Sequence, residues 1–180
     1  MKRCRLRLLN FLGCAVAYWL GVCGAMAAEN MRFLLLIDHS PDMATRQIST
    51  VQTVYDLVRT GFQNQIQPGE QFALWFYGSR LQTNAPFIWQ PGREVANAQR
   101  ASALFSGRIY SRLRPRDPTL ADAAGIIAAS PKVTILIFSD GSQPLAGTPY
   151  DAAINGAINE KRGLFQRADK PIIISLMAKK

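Results

Sequence analysis

Cysteine is missing from most of this sequence. All three cysteines, Cys4, Cys14 and Cys23, lie in the first 28 residues, so the remaining chain can form no disulfide and offers no thiolate as metal ligand or nucleophile. A domain built from residues 29–180 must therefore be held together by its hydrophobic core. Those 152 residues are enough for one ordinary domain, and no repeat or linker divides them.

Two other features are scarce or absent. No Asn-x-Ser/Thr sequence occurs, which favours a bacterial envelope protein over a eukaryotic secreted one. The net charge of +9 for the whole chain falls to +5 beyond residue 28, where 17 basic residues face 12 acidic ones. Because this excess is moderate and no nucleic-acid-binding motif is present, we expect no nucleic-acid partner.

The first 28 residues have the pattern of a secretory signal peptide. Basic residues at positions 2, 3, 5 and 7 precede a largely apolar stretch over residues 8–22. Ala25 and Ala27 then place small residues where a signal peptidase cuts. We expect an exported protein, periplasmic or extracellular, and membrane association only if this leader stays uncleaved and acts as an anchor.

Short apolar runs alternate with helical patterns along the rest of the chain. The runs predict strands at residues 31–37, 71–77, 87–89, 133–138 and 171–177, and helical spacing predicts helices over residues 44–65, 94–104, 120–129 and 151–166. The helical spacing also places Ile48 and Val95 on inward faces. Strands alternating with helices indicate a single α/β domain with a mostly parallel sheet. Pro86 and Pro91 mark residues 87–89 as an edge strand.

Two of the predicted strands end in an acidic residue. Asp38 follows the apolar run of residues 34–37, and Asp140 follows that of residues 133–138. The carboxyl ends of parallel strands share one edge of a sheet, so the two carboxylates would approach each other if the strands were neighbours. A divalent cation usually relieves such repulsion. Ser40 and Asp42 add oxygen ligands suited to Mg²⁺, Mn²⁺ or Ca²⁺.

Three segments resemble motifs of von Willebrand factor A domains. Asp38-x-Ser40-x-Asp42-Met43 resembles the Asp-x-Ser-x-Ser-Met motif that opens the metal-ion-dependent adhesion site of that family. The sequence Ile-Phe-Ser-Asp-Gly at residues 137–141 resembles the family's later strand that ends in Thr-Asp-Gly. Between them, residues 119–123 (Thr-Leu-Ala-Asp-Ala) are similar to the family's middle Thr segment. The three occur in the family's order, and the resemblance covers about residues 31–177.

This resemblance implies a three-layer, doubly wound sheet with one short antiparallel edge strand. It also implies a divalent cation, commonly Mg²⁺, at the carboxyl edge of the sheet. The ligands implied are Asp38, Ser40, Asp42, Thr119 and Asp140. One coordination position stays open in such sites, and an acidic residue of a partner protein often completes it. The implied function is adhesion or envelope assembly through a protein partner, and not catalysis.

The sequence departs from the family pattern in three places. Asp42 replaces a serine, which keeps an oxygen ligand but adds a charge that could weaken recruitment of a partner carboxylate. Pro118 occupies the expected threonine position, so either Thr119 reaches the metal through a one-residue shift or Asp117 substitutes for it. The family's usual last strand and helix have no counterpart after Met177, so we expect no switch that depends on that helix.

Two other functions remain open from the sequence. In the first, the site is degenerate and metal-free, Asp38 and Asp42 cap a helix, and a structural interaction domain binds through its edge strand or through the basic loop of residues 106–118. In the second, the carboxylates serve a metal-dependent hydrolase, although no general base or Gly-x-Ser-x-Gly sequence accompanies them. His39, the single histidine, is predicted to be an exposed residue beside the site.

Overall fold

The computed structural model describes residues 30–78, 81–106, 130, 132–142, 144–145 and 150–177. These residues form a five-stranded sheet with the strand order β3-β2-β1-β4-β5. Its strands are β1 (Met31–Asp38), β2 (Gln71–Tyr77), β3 (Phe87–Ile88), β4 (Thr134–Ser139) and β5 (Ile172–Met177). All five predicted strands are present. The predicted signal peptide and the helix predicted over residues 120–129 lie outside the described residues.

The described helices are shorter than the sequence pattern predicted. A 3₁₀ helix and four α-helices are present: Pro41–Arg46, α1 (Gln47–Arg59), α2 (Glu94–Ala103), α3 (Asp151–Glu160) and α4 (Arg162–Arg167). The predicted helix over residues 44–65 therefore begins as a 3₁₀ turn and ends at Arg59, and the one over residues 151–166 is interrupted at Lys161. No helix in the described part of the chain is both long and apolar enough to cross a membrane.

The three central strands are parallel and both outer strands are antiparallel. β1 pairs in parallel with β2 and with β4. β3 runs antiparallel to β2, as expected for the short edge strand. β5 also runs antiparallel, to β4, so the expectation of a single antiparallel edge strand was wrong. The segment that contains α3 and α4 returns the chain to Ser139, opposite which β5 starts.

Helices cover both faces of the sheet. Alternate residues of a strand point to opposite faces, so Phe33, Leu35 and Ile37 pack against α1 and α2 while Leu34 and Leu36 pack on the side of α3. Both faces of β1 are therefore buried from solvent, which is why its sequence is a continuous apolar run. The described residues form an α/β fold with a mixed five-stranded sheet whose central strands are parallel.

Two apolar residues predicted to face the core are exposed. Ile48 is 87 % exposed near the start of α1, whose buried face is formed by Thr50, Val54 and Val58. Val95 is 50 % exposed, and the neighbouring Asn97 is buried instead. The Asn97 amide donates to the Ile88 carbonyl at 3.2 Å, so a polar contact with β3 sets the inward face of α2.

A left-handed turn over Gly61–Asn64 follows α1. All four of its residues have positive φ values, between 53° and 62°. Such values are costly for residues with a side chain. Phe62 is nevertheless held there, because its ring is buried and stacks on Phe33 with 4.0 Å between centroids. Tertiary packing thus ends the helix earlier than its apolar periodicity predicted.

Replacing Gly61 by alanine is expected to destabilise the fold by about 2–3 kcal/mol. The new Cβ would lie 2.9 Å from Cζ2 of Trp89 and would also have to tolerate φ +58°. Gly69→Ala is the matched control, since Gly69 has φ +88° but open space around its Cβ position, and it should cost only about 1 kcal/mol. Equal losses in the two variants, measured by urea unfolding, would contradict the contact with Trp89.

Candidate functional site

The two strand-terminal acids lie at one edge of the sheet. β1 and β4 are adjacent and parallel, with Ile37 opposite Phe138, so the next residues of both strands leave the sheet side by side. Asp38 and Asp140 are both buried there. The adjacency that the sequence could only assume is therefore present.

The loops that follow the two strands have the same local structure. The Ser40 backbone N–H donates to Oδ1 of Asp38 at 2.8 Å, and the Ser142 backbone N–H donates to Oδ1 of Asp140 at 2.9 Å. Each Asp-x-Ser unit thus closes a turn through one carboxylate oxygen. In both residues Oδ2 is not used by that turn.

The Ser40 hydroxyl is buried beside the Asp38 carboxylate. Ser40 is 1 % exposed, and its Oγ makes no hydrogen bond of good geometry to the described residues, although it lies close enough to Asp38 to lower the pKa of that carboxyl. A buried hydroxyl with a poorly formed hydrogen bond is less stable than one that is fully paired. Such a group beside two carboxylates is a ready oxygen ligand for a cation.

Burial raises the pKa of Asp38 from its ordinary value of 3.8 to about 6. The backbone N–H and the hydroxyl of Ser40 oppose this shift, whereas the charges of Asp140 and Asp42 add to it. A carboxylate with like charges nearby and little water around it is disfavoured in its ionised form. The edge is therefore electrostatically strained in a way that a bound cation would relieve.

Tyr77, the last residue of β2, lies beneath the same edge. Its hydroxyl donates to the Phe138 carbonyl at 3.4 Å, so the side chain reaches from β2 past β1 to β4. Burial and the nearby charge of Asp38 raise the pKa of Tyr77 well above its usual range, so the phenol stays neutral. This buried hydroxyl helps to fix the end of β4 in front of Asp140.

Arg46, which the sequence reasoning missed, places a positive charge at this edge. It is buried, its Nη1 lies 3.8 Å from Oδ2 of Asp140, its Nε donates to the Ala168 carbonyl at 3.2 Å and its Nη2 donates to the Phe165 carbonyl at 2.8 Å. The signal available in the sequence was an arginine four residues after Asp42, at an inward position of the first helical turns.

An open cleft of about 540 Å³ lies between the two loops and α4. Asp42 is exposed at one side, and its Oδ2 accepts from the Ser142 hydroxyl at 3.5 Å. The residues that line the cleft are mostly polar or charged: Pro41, Asp42, Thr45, Arg46, Asp140, Gly141, Ser142, Arg162, Phe165 and Gln166. Asp42 thus belongs to the same site as Asp140.

Thr119 and Asp117, the alternatives for the middle ligand, lie outside the described residues, as does most of the basic loop.

His39 was predicted to be exposed and is 6 % exposed, so that prediction was wrong. The backbone explains it: the His39 N–H donates to the Tyr77 carbonyl at 2.7 Å, which continues the pairing with β2 and directs the ring onto Phe76.

The donors of this edge suit a hard cation but are few. Within the described ranges, no three Asp, Glu, His or Cys side chains are gathered closely enough to hold a metal ion alone. The available set combines Asp38, Asp140 and the buried hydroxyl of Ser40, with Asp42 nearby. Carboxylate and hydroxyl oxygens are what Mg²⁺, Mn²⁺ and Ca²⁺ prefer. The residues therefore fit such an ion, with further positions left for water or other groups.

Comparison with known proteins adds no assignment. No family model matches the chain. A search of the curated proteins also finds no match. A function must therefore be inferred from the α/β fold and from the edge formed by Asp38, Ser40 and Asp140.

Proposed function

We propose that this chain is an exported von Willebrand factor A-like domain that binds a protein partner through a divalent cation at the carboxyl edge of its sheet. The observation that carries this proposal is the pair of buried carboxylates, Asp38 and Asp140, at the carboxyl ends of two neighbouring parallel strands, with the buried Ser40 hydroxyl beside Asp38. Asp38, Ser40 and Asp140 would hold the ion, with Asp42 beside it. Mg²⁺ is the ion we propose, with Mn²⁺ and Ca²⁺ as alternatives.

The chain's own residues define how a partner would be bound. The Asp-x-Ser turns hold Oδ1 of Asp38 and of Asp140 by backbone N–H groups, which leaves Oδ2 of Asp38 for the ion, whereas Oδ2 of Asp140 would have to be shared with the Arg46 guanidinium 3.8 Å away. A bound divalent cation would supply positive charge and an open coordination position for an acidic side chain. The cleft is open to solvent, so an Asp or Glu on a protruding loop of the partner could enter it.

Calorimetric titration of the cysteine-free domain with Mg²⁺ and Mn²⁺ tests this proposal. We expect a single site with a dissociation constant of about 1 mM or tighter, and at least about a hundredfold loss in Asp38→Asn, because a carboxylate ligand in a site of low dielectric contributes several kcal/mol. Asp56→Asn is the matched control, since it removes the same charge from an exposed position on α1. Unchanged binding in Asp38→Asn would reject the site.

One observation favours a second function, a metal-free interaction domain. The Arg46 guanidinium beside Asp140 supplies positive charge at the edge without any ion. In that case the partner would be retained when divalent cations are removed. A pulldown from envelope extracts with and without EDTA separates the two functions: loss of the partner in EDTA supports the cation site, and retention supports the metal-free domain.

A further inference from the structure

The two edges of the sheet are built differently. β3, at one edge, is two residues long and lies between Pro86 and Pro91, which cannot donate to a further strand. β5, at the other edge, is six residues long and uncharged, with Ser175 as its single polar residue. Short strands, prolines and charges are the usual means by which proteins prevent an edge from pairing with another chain. β5 has none of these features within its six residues.

The outer side of β5 is open to a further strand. Among the described residues β5 pairs only with β4, so its outward N–H and C=O groups have no strand beside them. None of its side chains is fully buried, and Ile173 and Met177 are 43 % and 76 % exposed. A row of free backbone groups flanked by exposed apolar side chains is a template for pairing with another chain.

The helix beside this edge also has an unusual outer surface. α3 covers the face of β5 that carries Ile174, with Ile154 packed toward the sheet and Ile158 buried. A helix that borders solvent normally carries charged residues on its outer side. Between its charged ends, the exposed residues of α3 are instead small or neutral: Ala152, Ala153, Gly156, Ala157 and Asn159. A Cβ at Gly156 would meet no atom within 4 Å, so packing within this chain does not require the glycine.

We propose that β5 is the interface of a symmetric dimer, in which two copies of this chain pair antiparallel, β5 to β5. A two-fold axis perpendicular to the sheet makes one continuous sheet and keeps both α3 helices on the same side, where their small residues allow close approach. An extended peptide would cover the strand edge but leave α3 exposed, so a second copy accounts for both surfaces. This inference does not depend on the proposed cation site.

The two-fold axis also determines which residues face each other. Opposite residues of antiparallel strands lie on the same face of the sheet, so the axis passes through a residue and not between two. Centred on Ser175, the pairing places Ile173 of each copy opposite Met177 of the other. The two most exposed apolar side chains of β5 then cover each other, and the exposed Ser175 meets the same residue of the second copy.

Sedimentation of the purified protein tests this inference, with a reductant present so that the three cysteines cannot link two copies. We expect the mass to rise from one chain to two across the micromolar range, because one strand and one helix make a small interface. Ser175→Lys should weaken the dimer at least about tenfold, since two ammonium groups would face each other at the axis. Ile88→Lys is the matched control: it adds the same charge at a 53 % exposed residue of the other edge and should leave the dimer unchanged.

A mixture of two charge variants tests the pairing itself. Ser175→Lys and Ser175→Glu should each be mainly monomeric at a concentration at which the natural protein is dimeric, and an equal mixture should dimerise because opposite charges then meet at the axis. A natural protein with the mass of one chain up to about 1 mM would overturn the inference and leave this edge to a strand of another protein. A dimer that Ser175→Lys leaves unchanged, or a mixture that stays monomeric, would overturn it as well.

Discussion

Replacing Phe72 by alanine is expected to lower the free energy of unfolding by about 3–5 kcal/mol. Phe72 is fully buried on β2, where its ring stacks on Phe87 with 4.9 Å between centroids and meets Phe62 edge-on at 5.5 Å. Removing it takes one ring from the centre of an aromatic cluster that joins the edge strand to the left-handed turn. Urea unfolding followed by circular dichroism measures the loss.

Ile48→Ala is the matched control for that experiment. The sequence pattern predicts both residues to be in the core, but Ile48 is the most exposed of the large apolar residues described. Its replacement should change stability by less than about 0.5 kcal/mol. A loss in Ile48→Ala comparable to that in Phe72→Ala would mean that α1 packs with a different face against the sheet.

The positions of the strands could be predicted because each is a short apolar run with an abrupt polar end. A mostly parallel sheet followed from the same runs, since a strand buried on both faces needs helices on both sides, but the adjacency of β1 and β4 was an assumption that the structure supplies. The direction of β5 could not be predicted. It depends on where the segment that contains α3 and α4 returns the chain, and neither glycine nor proline stands at Lys161, where α3 ends.

The site residues that follow directly after a strand could be predicted from the sequence. Those whose contacts lie far away along the chain could not. Asp38, Ser40 and Asp140 follow directly from strand ends and their motifs. Arg46 was missed, because its partners Phe165 and Ala168 follow α3 and reach the site only through the antiparallel return of the chain. His39 was misplaced for a related reason: the pairing of β1 with β2 extends one residue past the last apolar position.

In the absence of divalent cations, the protein is expected to be more stable at pH 5 than at pH 7. The pKa of Asp38 is about 6 in the folded protein and ordinarily 3.8, so the folded state binds this proton more tightly. The stabilisation by protonation is complete below pH 3.8 and is lost as the pH rises through 6. Between these limits the free energy of unfolding changes by about 3 kcal/mol. Unfolding in urea with EDTA at several pH values measures it.

Asp38→Asn should abolish that pH dependence and raise the stability at pH 7 by about 2–3 kcal/mol, because an amide oxygen can still accept the Ser40 backbone N–H but carries no charge. Saturating Mg²⁺ should stabilise the natural protein at pH 7 and leave Asp38→Asn unchanged, since a ligand stabilises only the folded state that binds it. The ionised carboxylate is thus unfavourable for folding and required for the proposed site. Asp56→Asn is the control and should show the same pH dependence as the natural protein. A loss of stability between pH 7 and pH 5 in EDTA, in both proteins to the same degree, would contradict the raised pKa of Asp38.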